Sequence, residues 1–174
     1  MGWGTFVQNY MDEEFVFCIF CEYLQESKVE KYLKKIGLKV ISTLVERNII
    51  KNGKLVKELR SIIPGYVFFE NNKEPDWNEI CKLKYIFYPL HYTDNEKRLR
   101  DKDLQFVKWL KENNGIIKIS NVMEIGKKLK IMDGPLKELE GKTVKINKRQ
   151  KCVGIKLDGD VIKNIIWLSY EVKK

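Results

Sequence analysis

The 174-residue sequence predicts an α+β protein, in which helices pack on a mainly antiparallel sheet and a small β-barrel follows. Three observations carry that prediction. The first is Ser61-Ile62-Ile63-Pro64-Gly65-Tyr66-Val67-Phe68-Phe69-Glu70, the densest run of β-branched and aromatic residues in the chain. Pro64-Gly65 breaks the backbone just ahead of it, and both faces of the strand carry apolar residues, as in a central strand covered on both sides. The second is the mixture of helical and extended patterns before residue 113. The third is a change of period to two from Gly126 onward, with turn residues between short apolar runs.

Taken in order, Trp3 to Val7 is strand-like. Asp12 reads as an N-cap, with Glu13 and Glu14 suited to a first turn, which predicts a helix from Glu13 to about Leu24. Ser27 offers another start, Val29, Tyr32, Leu33 and Ile36 follow at helical spacing, and Gly37 closes the run. Lys39 to Ile50 is β-rich. Asn52-Gly53 between Ile49-Ile50 and Leu55-Val56 is the strongest hairpin signal in the chain. Pro75-Asp76 opens a short helix with Ile80 and Leu83, and Ile86-Phe87-Tyr88 is a strand. Asp101 or Asp103 opens a helix bearing Leu104, Val107 and Leu110, which ends at Asn113-Asn114-Gly115. Beyond it, strands are expected at 128–132, 142–146, 151–157 and 161–167. The expected division is a first domain at 1–112, a linker at 113–124 and a barrel at 125–174.

The formal net charge is +9, and it is unevenly placed. Residues 115–174 carry 14 Lys and Arg against 7 Asp and Glu, so the remainder carries 33 − 14 = 19 against 24 − 7 = 17. An excess of that size in the second part suggests a nucleic-acid partner. Lys145, Lys148, Arg149 and Lys151 cluster at the expected turn near Asn147, where charge projects towards phosphates. A second cluster, Lys97, Arg98, Arg100 and Lys102, precedes the third expected helix, and Lys108 and Lys111 extend it at i, i+3. Both are weighed against ordinary solvated surface.

Other chemistry is poorly supported. Gly134 to Thr143 fails as a phosphate-binding loop, because its glycines are too far apart and Val144-Lys145-Ile146 continues as a strand. Cys18-x-x-Cys21 lacks further zinc ligands at suitable spacing and reads as small buried helix positions. With one histidine, no nucleophilic triad can be assembled. No catalytic residue, metal or cofactor is expected. The longest apolar run, Phe15 to Cys21, is too short to span a membrane, and a cytoplasmic monomer with reduced cysteines is expected.

Four features occurring in order carry a resemblance. They are Val7-Gln8-Asn9-Tyr10 in a Trp-containing strand, Pro64-Gly65-Tyr66-Val67-Phe68, Asp76-Trp77 at a helix start, and Gly126…Asp133-Gly134-Pro135-Leu136…Glu140-Gly141-Lys142. Over nearly its whole length the chain resembles the NusG family of transcription factors, with an NGN domain followed by a KOW (SH3-like) barrel. Ile117-Lys118-Ile119-Ser120 and Lys145 to Lys151 look most like the LoaP group of processive antiterminators. The pattern departs at Gly4, where an aromatic usually follows the Trp, and at Gln150, where a basic residue usually stands.

The resemblance implies a non-enzymatic factor that docks on the clamp helices of the largest RNA polymerase subunit. By position, Trp3, Val7, Ile63, Pro64, Gly65, Tyr66 and Phe68 would dock. Tyr66 and Phe68 are expected to face the partner, and Val67 and Phe69 the core. Residues 71–76 would lie towards the opposite pincer. Arg98, Arg100, Lys102, Lys108, Lys111, Lys148, Arg149 and Lys151 would meet a leader RNA hairpin or upstream or non-template DNA. Gly126, Asp133, Gly134, Pro135 and Gly141 form the KOW motif. The alternatives are a general NusG factor coupling to ribosome or Rho, and a ribosomal KOW protein.

Overall fold

The computed structural model describes residues 14–139 and 141–174. It divides into two compact units that interleave along the chain, one of residues 1–41 and 64–104, the other of residues 42–63 and 105–174. The α+β class is as expected.

In the first unit, strands β1 (Phe15–Cys21), β2 (Lys39–Ile41), β5 (Tyr66–Asn71) and β6 (Ile86–Pro89) form an antiparallel sheet ordered β2-β5-β1-β6. Helices α1 (Glu26–Lys35) and α2 (Trp77–Ile80) cover one face. Phe17, Ile19, Cys21, Val67, Phe69 and Ile86 from the strands meet Val29, Leu33 and Ile80 from the helices. Phe17 stacks on Phe69 at 5.4 Å, and Trp77 sits edge-on to Phe17 at 5.5 Å. Each such fully buried large side chain contributes about 1.5–3 kcal/mol.

The helix expected at 13–24 is instead strand β1 over its described part. The acidic run at its start mimics a capped first turn, but Phe-Val-Phe-Cys-Ile-Phe-Cys has no polar face for a surface helix to show to water. It fits a strand bonded on both edges and buried on both faces, pairing with β5 (Phe17↔Phe69, Phe20↔Tyr66) and with β6. Strand alternation sends Cys18 and Cys21 to opposite faces. Burial keeps both protonated, and Cys21 is pushed up to about 12 by desolvation and the nearby Glu26, Glu30 and Glu22.

Several local signals act as expected. Gly37 (φ +90°) closes α1, its N–H donating to Lys34 O while Leu38 N–H reaches Leu33 O, so two orphan carbonyls are satisfied. Asp76 caps α2, accepting from Asn78 N and Glu79 N at 3.1 and 3.2 Å.

In the second unit, β3 (Leu44–Lys51) and β4 (Lys54–Ser61) form the hairpin, with positive φ at both Asn52 and Gly53. β7 (Ile116–Ile117) pairs parallel with β3. The barrel strands β8 (Ser120–Ile125), β9 (Lys128–Asp133), β10 (Thr143–Asn147), β11 (Cys152–Lys156) and β12 (Ile165–Val172) order as β10-β11-β12-β8-β9. Val122, Ile131, Leu136, Val153, Ile155, Ile166, Leu168 and Tyr170 are buried. Helix α3 (Asp101–Glu112) ends at Asn114 and Gly115, both at positive φ.

Two stretches differ from expectation. Residues 116–117 and 120–125, within or beside the expected linker, are paired strands. The strand expected at 161–167 begins only at Ile165, because residues 158–164 fold into a loop closed by Gly159 N–H to Ile162 O and Leu157 N–H to Asn164 O.

The hairpin is fastened to β12 by buried polar contacts. Asn48 N–H donates to Ser169 Oγ at 2.8 Å, and Asn48 Nδ2 donates to Tyr170 O at 3.2 Å. Ser169→Ala would leave a buried N–H without a partner, so we expect a loss of about 1–3 kcal/mol in denaturant unfolding; an unchanged midpoint contradicts this fastening. Cys81 is the exposed cysteine, and Cys18, Cys21 and Cys152 are buried. A thiol reagent at pH 8 should therefore label Cys81 rapidly and the other three only after denaturation.

Candidate functional site

The β1–β6 ladder pairs Phe20 with Tyr88 and Cys21 with Ile86, so Phe87 is left over as a β-bulge. The extra residue lets two consecutive aromatics reach Phe20, with ring centroids 5.5 Å away for Phe87 and 5.3 Å for Tyr88. Tyr66, across the other edge, is also 5.3 Å from Phe20. Phe87 is 55% exposed and Tyr88 47% exposed, while Phe20 and Tyr66 are half-buried. Four aromatic rings thus form one continuous surface that faces away from the α1–α2 core.

The turn before β5 holds this surface in place. Gly65 lies at φ +87°, and a Cβ there would come within 3.3 Å of the Phe20 ring. Gly65 N–H donates to Glu26 Oε1 at 2.6 Å, and its carbonyl accepts Cys21 N–H at 2.8 Å. The Pro-Gly pair therefore sets a ring against bare backbone.

Of the docking residues expected on this strand, Tyr66 lies on the surface, Pro64 is exposed beside it and Gly65 supports it. Phe68 is 0% exposed and Ile63 is buried, so neither is available to a partner in this conformation. Phe68 pairs with Cys18 and Ile41 in mid-sheet. Cys18 and Phe68 are both 0% exposed, so that part of the face is covered. Trp3 and Val7 lie outside the described residues. Phe20, Phe87 and Tyr88 escaped sequence reasoning, Phe20 because β1 was read as a helix and the other two because a bulge leaves no periodic trace.

On the helix-covered side of the first unit, two ammonium groups converge on one phenol. Lys28 Nζ and Lys84 Nζ each lie 4.9 Å from the Tyr85 ring centroid, and Lys28 Nζ is 3.5 Å from the hydroxyl. Hydrogen bonds from both ammonium groups, and then their charges, hold the Tyr85 hydroxyl below its usual range. This is a compact cationic spot two residues from Phe87, and sequence reasoning missed it because Lys28 and Lys84 are far apart in the chain.

The expected basic cluster around α3 is more committed. The Arg98 guanidinium lies 3.6 Å over the Phe15 ring, with Nε 3.7 Å from Glu74. Arg100 lies 4.4 Å over the Tyr92 ring and bonds Glu96 at 2.9 Å. Lys102, Lys108 and Lys111 are exposed on α3. In the second unit, Lys148 and Arg149 are exposed at the β10–β11 turn and Lys151 is half-buried. Asn147 Oδ1 accepts Gln150 N–H at 3.0 Å and shapes that turn.

The glycine-rich motif is a structural joint. Gly126 (φ +62°) turns β8 into β9, and Asn121 Nδ2 donates to Asp133 Oδ1 at 2.8 Å. At Gly134 (φ +94°) a Cβ would fall 2.6 Å from Ser120 Oγ. Pro135 opens a 3-10 turn (Pro135–Leu139), and Leu136 N–H donates to Ser120 Oγ at 3.0 Å. Gly141 has open space around it. Ser120 is thus the seat on which the loop rests.

Among the described residues, no three His, Cys, Asp or Glu side chains come together to hold a metal ion, and no helix is long and apolar enough to cross a membrane. The profile of the family described as "Transcription termination factor nusG" matches residues 16–108, more than half of the chain. No curated protein matches in sequence. Among solved structures, one described as "Domain interaction in Thermotoga maritima NusG" is similar, with 15% identity and a TM-score of 0.45, covering 90% of this chain and 94% of that one. On the strength of the family profile, this chain belongs to the NusG family of transcription factors.

Proposed function

We propose that this protein is an elongation factor that binds RNA polymerase through the aromatic surface of its first unit and suppresses pausing and termination. In this reading it acts as a LoaP-like processive antiterminator, with the barrel recognising a leader RNA hairpin. The observation that carries the docking role is the cluster of Phe20, Tyr66, Phe87 and Tyr88, with two of its rings about half exposed. An exposed aromatic surface of this kind is typical of a protein-binding site.

The mechanism is binding without covalent chemistry. The surface would dock on the clamp helices of the largest subunit, while residues 71–76 would lie towards the opposite pincer. A factor that holds both sides favours the closed, transcribing conformation by its differential affinity for that state. Lys28 and Lys84, converging on Tyr85, would meet phosphates of upstream or non-template DNA. The residue ranges 1–112 and 125–174 would supply the polymerase and RNA contacts respectively. Exposed Val144 and Ile146 on edge strand β10 favour a second reading, in which the barrel binds a protein of the ribosome or Rho.

Phe87→Ala with Tyr88→Ala should weaken polymerase binding about tenfold or more, as expected for buried aromatic anchors. Hairpin RNA binding and the melting temperature should stay near wild type. If all three fall together, the rings belong to the fold and not to a docking site. Lys28→Gln with Lys84→Gln should flatten the plot of log affinity for duplex DNA against log salt by about 1.8, at about 0.9 per lost phosphate contact. An unchanged slope removes the phosphate role. In a purified elongation assay, terminator read-through should rise with the protein and its leader RNA; no change defeats the antitermination reading.

A further inference from the structure

We propose that the β3–β4 hairpin and the barrel together form one RNA-binding cleft, with the hairpin supplying a wall that the barrel lacks. This rests on the reading that the barrel binds RNA, and it extends that site to residues far away in sequence. The cleft has a volume of about 250 Å³ and is lined by Asn48, Leu55, Lys57, Lys151, Glu171 and Val172. Two of its positive groups come from different elements, Lys57 from the hairpin and Lys151 from the end of the β10–β11 turn. Glu171 is the one carboxylate among the lining residues. It pairs with Lys57 and lies 3.7 Å from Lys173, so its charge is outweighed locally. Lys148 and Arg149 stand exposed on the same turn as Lys151.

The wall is rigid enough to count as a site. Asn48, which lines the cleft, is 2% exposed and is bonded to Ser169 and Tyr170 of β12. The register puts Leu55 and Lys57 on the same face of β4 as Asn48, since Asn48 pairs with Lys57 and Ile50 with Leu55. Leu55 is 42% exposed and Val172 half-buried, so the cleft offers apolar surface as well as its cations. Cations and apolar side chains lining one cleft match a polyanion whose sugars and bases offer apolar faces between phosphates. The charge is complementary to RNA, and an acidic peptide is the competing occupant for the test to reject.

The test measures binding of the full chain to a synthetic RNA stem-loop with a single-stranded flank, across a range of salt. Leu55→Glu places a carboxylate in the cleft at an exposed position and leaves the Lys57–Glu171 pair intact. It should lower affinity about tenfold, with the melting temperature unchanged. Lys57→Gln should also weaken binding, and should flatten the salt slope by about 0.7, one phosphate contact's worth. A photo-crosslinker at position 55 should form an adduct with the RNA. If Leu55→Glu and Lys57→Gln bind as wild type while Lys148→Gln with Arg149→Gln loses affinity, RNA lies on the barrel alone and the composite cleft is refuted. Crosslinking at position 55 to an acidic peptide in preference to the RNA refutes it equally. Wild-type protein that does not bind the stem-loop overturns the RNA reading itself.

Discussion

The pairing of β1 on both edges is the constraint from which the first unit follows. A strand with Phe17, Ile19 and Cys21 on one face and Cys18 on the other must be central, because neither face tolerates water. Once it is central, β5 lies on one edge and β6 on the other. Helices α1 and α2 are then needed to cover the odd-numbered face, and they do so with Val29, Leu33 and Ile80. The same strand decides where the aromatic surface forms. Phe20 comes near the end of β1, where the even-numbered face is no longer covered. The bulge opposite it brings in Phe87 and Tyr88, while Gly65 removes the side chain that would otherwise collide with its ring. The packed core and the aromatic surface are thus two faces of one strand, separated by the alternation of side chains.

A comparable economy organises the second unit. Ser120 carries two duties: its small side chain leaves room for Gly134, and its hydroxyl accepts Leu136 N–H. That anchors Leu136 in the barrel core and sets where the chain re-enters after β9. In the middle of the sheet, β12 is long enough to serve the barrel and still offer Ser169, Tyr170 and Glu171 to the hairpin. The hairpin has little apolar surface of its own to bury, with Leu55 and Leu59 exposed. Its order comes from hydrogen bonds made to a neighbour, and such bonds hold only where both partners are shielded from water.

Much of the fold was legible in the sequence, and the failures have physical causes. Asn52-Gly53, Gly37, Asp76 and Pro64-Gly65 were readable because each satisfies a local backbone need that few residues can meet. The barrel was readable from its period. The β1 strand was misread because a short apolar run carries no usable periodicity, and the acids before it imitate a helix cap. For the site, Tyr66 was legible as a face of an alternating strand. Phe68 was assigned to the same open face, and alternation could not reveal that mid-sheet positions on that face are covered. The convergence of Lys28 and Lys84 on Tyr85, and of Lys57 and Lys151 on one cleft, depends on tertiary contacts that no local pattern encodes.

The distribution of charge gains meaning from this geometry. The arginines nearest α3 in sequence are held by rings and carboxylates of their own unit, Arg98 by Phe15 and Glu74, Arg100 by Tyr92 and Glu96. A guanidinium held by both a ring and a carboxylate must give up two contacts before it can serve a phosphate, so its net contribution to binding is small. Lys148 and Arg149 lie on an exposed turn shaped by Asn147, and the charge excess of residues 115–174 is concentrated in that unit. Net charge alone therefore overstates one basic cluster and understates the other. Partnering within the fold, and not the count of lysines and arginines, determines which cations are left to the solvent.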